Sequence, residues 1–195
     1  MMAWRLGLGL GLALTVLGCG HSLPLPALTS AAQTGIFAKA PQAPAMDVQN
    51  FNKVHEWLYR GGYPDENALK VAVQLGIKTV ISLQGKAPFE AVMVAQEKAN
   101  AAKLGITWIN VPLPFKVEPP KAMIDQVLNT LANKQSQPCY LHCYHGRDRT
   151  GTLAAVYRIK YDGLTNDQAF TEMKGFGFDP QKYPEFASYV QHYRP

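Results

Sequence analysis

His142-Cys143-Tyr144-His145-Gly146-Arg147-Asp148-Arg149-Thr150-Gly151 is the stretch on which the reading of this chain turns. A cysteine stands six residues before an arginine, a hydroxyl follows that arginine, and a glycine sits between them. Upstream, Pro138-Cys139-Tyr140-Leu141 reads as a short apolar strand, and downstream Thr152-Leu153-Ala154-Ala155-Val156-Tyr157 reads as a helix start. A strand, a tight loop and a helix N-terminus make an anion cradle, because loop and first-turn N–H groups lack partners within the helix and point inward. A thiol over that positive field loses its proton easily and becomes a nucleophile. Arg149 can offer phosphate oxygens a planar fork, which a lysine cannot. Tyr144, His145, Gly146 and Arg147 would then line the substrate side.

Other uses of these residues fit less well. A buried structural thiol at Cys143 has no need of Arg147 and Arg149 beside it. Cys139, His142, Cys143 and His145 could form a zinc cluster, but structural zinc usually draws on two separated ligand pairs, and His21, His55 and His192 show no such spacing. No metal or other cofactor is expected. A Cys139–Cys143 disulfide needs the loop to fold back, since an extended chain puts the two alpha carbons about 10–13 Å apart.

The N-terminus points to export. Met1 to Arg5 carries one positive side chain and Leu6 to Leu17 is apolar, too short to span a membrane as a stable helix, so residues 1–18 read as a signal peptide. Val16-Leu17-Gly18-Cys19 resembles a bacterial lipobox, with Cys19 as the lipidated residue; ordinary cleavage to a soluble periplasmic or secreted protein is the alternative. An outer-membrane lipid anchor in the bacterial periplasm is the expected location. Residues 19–46 are rich in Pro, Ala, Ser, Thr and Gln and read as a flexible tether, leaving residues 47–195 as one domain. A formal net charge of +5 is too modest to argue nucleic-acid binding.

Along the domain, strands and helices alternate. Strands are expected at 51–54, 57–60, 77–83, 106–111 and before Cys143. Helices are expected from the Asp65 cap to Leu75, from Pro88 to Leu104, from Lys121 to Asn133, from the Thr165–Gln168 capping box onward, and over 183–193. Such alternation implies an α/β fold with a parallel-centred sheet flanked by helices, whose ligands sit beyond the strand C-termini, where the Cys143 loop falls.

His-Cys, five residues, Arg and Thr resemble the signature of the cysteine-dependent phosphatases, the protein-tyrosine and dual-specificity superfamily. Trp57-Leu58-Tyr59-Arg60-Gly61-Gly62-Tyr63-Pro64 and Leu75-Gly76-Ile77-Lys78-Thr79-Val80-Ile81 resemble the atypical dual-specificity phosphatases of bacteria, fungi and plants, with Tyr63 where Gln is usual. The resemblance covers about residues 54 to 160. It implies the compact protein-tyrosine-phosphatase fold for 47–195 and a phosphoric monoester hydrolase of the Cys-x5-Arg type. Cys143 would be the nucleophile and form a cysteinyl-phosphate, Arg149 would bind the phosphate, Thr150 would hydrogen-bond the thiolate, and His142 would orient the loop.

One part of that pattern is missing. The leaving oxygen needs a proton, usually from an aspartate well before the cysteine, yet residues 112–120 contain none. Asp148 is the first candidate general acid, because Asp-Arg-Thr resembles the loop end of myotubularin and Sac-type lipid phosphatases. Glu118 is the alternative. His145 and Arg147 add positive charge, which suits several phosphates on one small ring. Similar fungal and plant enzymes, and the phosphatase-like phytases of bacteria, act on inositol phosphates. Inositol polyphosphates are therefore the expected substrate, with phosphotyrosine or dual-specificity activity as the alternative and a non-catalytic polyanion-binding lipoprotein as the reading of another class. Lys53, Lys86 and Lys116 are expected near the rim.

Overall fold

Val80 and Ile81 are adjacent, fully buried, and face opposite cores, which is the arrangement of a strand covered on both sides. The computed structural model describes residues 44–85 and 87–195. The signal segment, Cys19, most of the tether and Lys86 lie outside the described residues. Five strands form one sheet in the order β1-β2-β5-β3-β4. They are β1 (Asn52–His55), β2 (Leu58–Gly61), β3 (Thr79–Ser82), β4 (Thr107–Asn110) and β5 (Cys139–His142). β1 runs antiparallel to β2, and every other pairing is parallel. The strand that leads into Cys143 is therefore the central one, and its register is fixed from both sides.

Helices cover both faces. Leu58, Ile81 and Leu141 join the core formed with α3 (Lys121–Ala132), α4 (Asp148–Asp162), α5 (Asn166–Gly175) and α6 (Pro184–His192). Tyr59, Val80 and Tyr140 face α1 (Glu66–Gln74) and α2 (Pro88–Lys103). Among the described residues no helix is long and apolar enough to cross a membrane. The expected local signals operate. The Asp65 carboxylate accepts from Ala68 N at 2.8 Å, Gly76 closes α1 at φ +75°, and Thr165 and Gln168 form a complete capping box.

Three features depart from the sequence reading. Met46, assigned to the tether, is buried in the second core. α4 begins at Asp148 rather than Thr152, because Arg147 already has helical torsions and its carbonyl accepts from Gly151 N at 2.9 Å. Arg149 and Thr150 thus belong to the helix's first turn. Finally, α2 buries Glu90, Glu97, Asn100 and Ala101 rather than an apolar stripe. Glu90 and Glu97 are seven residues apart, two turns along one face.

Candidate active site

The loop after β5 has its carbonyls tied down from outside. Cys143 O accepts from His142 Nδ1 at 3.2 Å, and Tyr144 O from the Tyr63 N–H at 3.0 Å. His145 O accepts from the Asn50 amide at 2.9 Å, Gly146 O from Arg60 Nη2 at 2.9 Å, and Arg147 O from Gly151 N. A peptide's N–H points opposite to its carbonyl, so a loop whose carbonyls face out presents its N–H groups to the inside. Among the described residues, no acceptor takes the backbone N–H groups of Tyr144 to Arg149. That leaves a cradle of donors around Cys143, which is 3% exposed.

Glycines allow this loop to seat on β2. Gly146 sits at φ +68°, and a Cβ there would lie 2.3 Å from the Gly61 carbonyl carbon. A Cβ on Gly61 would lie 2.4 Å from the Tyr140 hydroxyl, which itself donates to Gly62 O at 2.6 Å. The Arg60-Gly61-Gly62 run is therefore the floor on which the loop rests.

Two buried glutamates of α2 bond side chains that flank this loop. His142 is fully buried, stacked on Tyr140, with Nε2 2.7 Å from Glu97 Oε1. Its Nδ1 faces Cys143 O, so both ring nitrogens meet acceptor oxygens and the ring is held between α2 and the loop. Arg149 is 1% exposed. Its Nη1 donates to Leu83 O at 2.9 Å, both Nη atoms bond Glu90, and the Phe115 ring lies 4.0 Å from its Cζ. Glu90 also accepts from Gly85 N at 2.7 Å.

This revises the expected fork. A guanidinium buried this far needs a counter-charge, and Glu90 occupies the Nη1/Nη2 edge. Arg149 Nε has no partner among the described residues, so the Nε side is the free edge of the guanidinium. The expected Thr150 bond to sulfur is not formed either. The Thr150 hydroxyl is fully buried without a partner among the described residues, a free donor in the first turn of α4.

The acid candidates separate clearly. Asp148 is buried at the start of α4, near Arg147 Nε at 3.4 Å, with Oδ1 making no hydrogen bond among the described residues. Glu118 is exposed and lines a cavity of about 830 Å³ with Asp125, Lys160 and Tyr189, at α3 and α6 and apart from the Cys143 loop. The structure does not bring Glu118 to the site. What the 112–120 segment brings instead is Phe115, stacked on Tyr183 and over Arg149.

His145 is half-buried, and burial first, then Arg147, holds its imidazole below the ordinary 6.5. It is therefore neutral at pH 7 rather than a second cation. Tyr144 is partly exposed and meets Phe89 edge-on at 6.0 Å. Lys53 lies on the outer strand and pairs with Glu56, away from the loop contacts, while Lys116 stands next to Phe115 at φ +55°. Cys139 is a free buried thiol that donates to Ser136 O at 3.2 Å, and burial pushes it up to about 12.

Sequence reasoning missed Arg60, Glu90, Glu97 and Asn50. The spacing of the two glutamates on a helix with no apolar stripe was the available signal for α2. An arginine inside a buried strand was the signal for Arg60.

With this loop at the C-terminal end of a central parallel strand, the class is a phosphate-ester hydrolase of protein-tyrosine-phosphatase fold. The chain belongs to the tyrosine phosphatase family, which matches residues 45–194. It is 25% identical over 163 residues to the dual specificity protein phosphatase TpbA of Pseudomonas aeruginosa, covering 83% of this chain and 71% of that one. It is 30% identical over 136 residues to the inositol diphosphatase SIW14 of Saccharomyces cerevisiae, covering 67% of this chain but only 46% of that protein. The solved structure of TpbA in complex with pTyr is similar at a TM-score of 0.61 and 26% identity, over 79% of this chain and 92% of that one. The core catalytic domain of SIW14 with citrate shares the fold at a TM-score of 0.62 and 24% identity, over 75% and 87%.

Proposed function

We propose that this chain hydrolyses phosphate monoesters through a cysteinyl-phosphate, with inositol polyphosphates as its substrates. The Cys143 thiolate attacks phosphorus, the ester P–O bond breaks, and its electron pair leaves on the oxygen, which takes a proton from Asp148. Water then attacks phosphorus, giving its proton back to the Asp148 carboxylate, as the S–P bond breaks with its electron pair on sulfur, returning the thiolate and inorganic phosphate. The observation that carries this reading is the set of outward-tied carbonyls from Cys143 to Arg147, which leaves the N–H groups free to hold the equatorial oxygens. Arg149 Nε and the Thr150 hydroxyl are unpartnered buried donors available to phosphate and sulfur. Asp148 fits the acid role better than Glu118 because only Asp148 is part of the loop.

Support for a polyphosphate comes from Arg147, whose side chain is about one-third exposed beside the cradle, and from the relatives named inositol diphosphatases. A second reading, phosphotyrosine, is favoured by one observation: the exposed Phe89 ring and Tyr144 make an aromatic edge at the loop. The sequence alone is the basis for the further proposals of export and a lipid on Cys19. Intact-mass measurement of native protein would overturn the lipid if the mature N-terminus is free.

The deciding experiment measures phosphate release from inositol polyphosphates and from phosphotyrosine peptides, with Cys143→Ser as control. Higher kcat/KM on the inositol substrates is expected, with activity abolished in Cys143→Ser and untouched by EDTA. A Cys143→Ser enzyme within tenfold of wild type would refute the thiolate mechanism, and a preference for the peptides would return the substrate to phosphotyrosine.

A further inference from the structure

Arg60 is 1% exposed in β2, beneath the catalytic loop. Its Nη2 donates to Gly146 O at 2.9 Å, and the Phe176 ring lies 3.9 Å from its Cζ. Its Nε has no partner, and no carboxylate pairs with it, among the described residues. The other cationic groups around Cys143 differ in this respect. Arg149 is held by Glu90, and Arg147 lies beside Asp148. Among the described residues, the other ionisable groups acting on Arg60 are Tyr140 on β5 and Glu172 on α5, the latter paired with Arg158, while His145 on the loop faces Arg147, Asp148, Lys182 and Arg149.

A buried guanidinium without a counter-ion is costly, so its position calls for an anion. Burial pushes Arg60 down to about 10, and the charges opposing that are Cys143 first, then Glu172 and Tyr140. We infer that Arg60 is a positioning residue whose buried charge is matched by the Cys143 thiolate, and that the loop's floor thereby keeps the nucleophile ionised. The inference rests on the proposed role of Cys143. Buried Arg149 has a carboxylate at hand in Glu90, whereas buried Arg60 has none among the described residues. Its bond to Gly146 O ties that charge to the loop that carries Cys143.

The test is the rate of Cys143 alkylation by iodoacetamide at pH 5.5 and pH 9, taken as the difference from Cys143→Ser so that Cys19 and Cys139 drop out. Wild type should keep much of its pH 9 rate at pH 5.5, whereas an ordinary thiol loses several hundredfold, on the order of its ionised fraction. Arg60→Gln keeps a donor for Gly146 O but removes the charge, and should lower the pH 5.5 to pH 9 ratio by about tenfold. Arg60→Lys keeps the charge and should stay near wild type. A purely structural role would give Gln and wild type the same ratio, and that result overturns the inference. If Arg60→Gln fails to fold by circular dichroism, Glu172→Gln decides. Removing this opposing charge should raise the ratio by about twofold, and an unchanged ratio overturns the inference. A wild-type enzyme with the ratio of an ordinary thiol would instead remove the nucleophile reading itself.

Discussion

In the proposed mechanism Cys143 attacks as a thiolate and must then leave again from a cysteinyl-phosphate, so the same electrostatics would serve both steps. Serine in its place offers a far more basic oxygen, and Cys143→Ser should lose at least about a thousandfold in kcat while melting at an unchanged temperature. Glu90 is a different case, because it satisfies a buried arginine. Glu90→Ala would strand Arg149 without a counter-charge and should cost about 3 kcal/mol, read from urea unfolding. His145 gives a pH prediction whose sign follows from its surroundings. Burial and Arg147 hold it below 6.5, so it is neutral at pH 7 and gains charge only as pH falls. A bound polyphosphate favours the charged form, so affinity should rise as pH drops below that value. His145→Asn should remove this rise and leave affinity at pH 7.5 unchanged; isothermal titration at the two pH values checks it.

At the scale of elements, the loop depends on glycine where backbone meets backbone. A Cβ at Gly146 would meet the Gly61 backbone at 2.3 Å and sits at φ +68°, so Gly146→Ala must displace the cradle. Gly163 has a similar φ of +72°, but open space around it. Gly163→Ala should therefore cost only about 1 kcal/mol with full activity, whereas Gly146→Ala should abolish activity. Phosphate-release assays beside thermal melts separate the two. The same elements explain what was legible in the sequence. β3 and β5 are apolar runs bounded by breakers, and α1 and α5 carry their caps in plain view at Asp65 and Thr165. The start of α4 was hidden because Asp148, Arg149 and Thr150 are polar yet buried, and the partners of Arg149, Glu90 on α2 and Leu83 O just after β3, are contacts that no local pattern records. α2 was found as a helix but not as a partner of the site, since its buried face reads Glu90, Glu97 and Asn100, residue types that usually mark a solvated surface. Arg60 was quoted as part of a resemblance, and only packing reveals it as a support for Gly146.

At the scale of the whole molecule, substrate choice depends on how many charges meet how many. The chain carries a net +5, but two arginines close to Cys143 have carboxylates beside them: Arg149 bonds Glu90, and Arg147 lies beside Asp148. Arg147 is the more exposed of the two, and its Nε stands 3.4 Å from Asp148 rather than in a tight bond, so it can turn to a second phosphate. A ring bearing several phosphates should therefore gain from Arg147 what a single phosphate on a peptide cannot. That gain is between solvent-facing charges and should be screened, since the Debye length falls from about 10 Å at 0.1 M salt to about 3 Å at 1 M. Raising salt should lower kcat/KM for inositol polyphosphates much more than for phosphotyrosine peptides, and Arg147→Ala should reproduce the loss at low salt while leaving the peptide rate within about twofold. Equal losses on both substrates would mean that Arg147 only braces the loop against Asp148. The aromatic edge of Phe89 and Tyr144 would then be the feature that selects the substrate, and phosphotyrosine the group it selects.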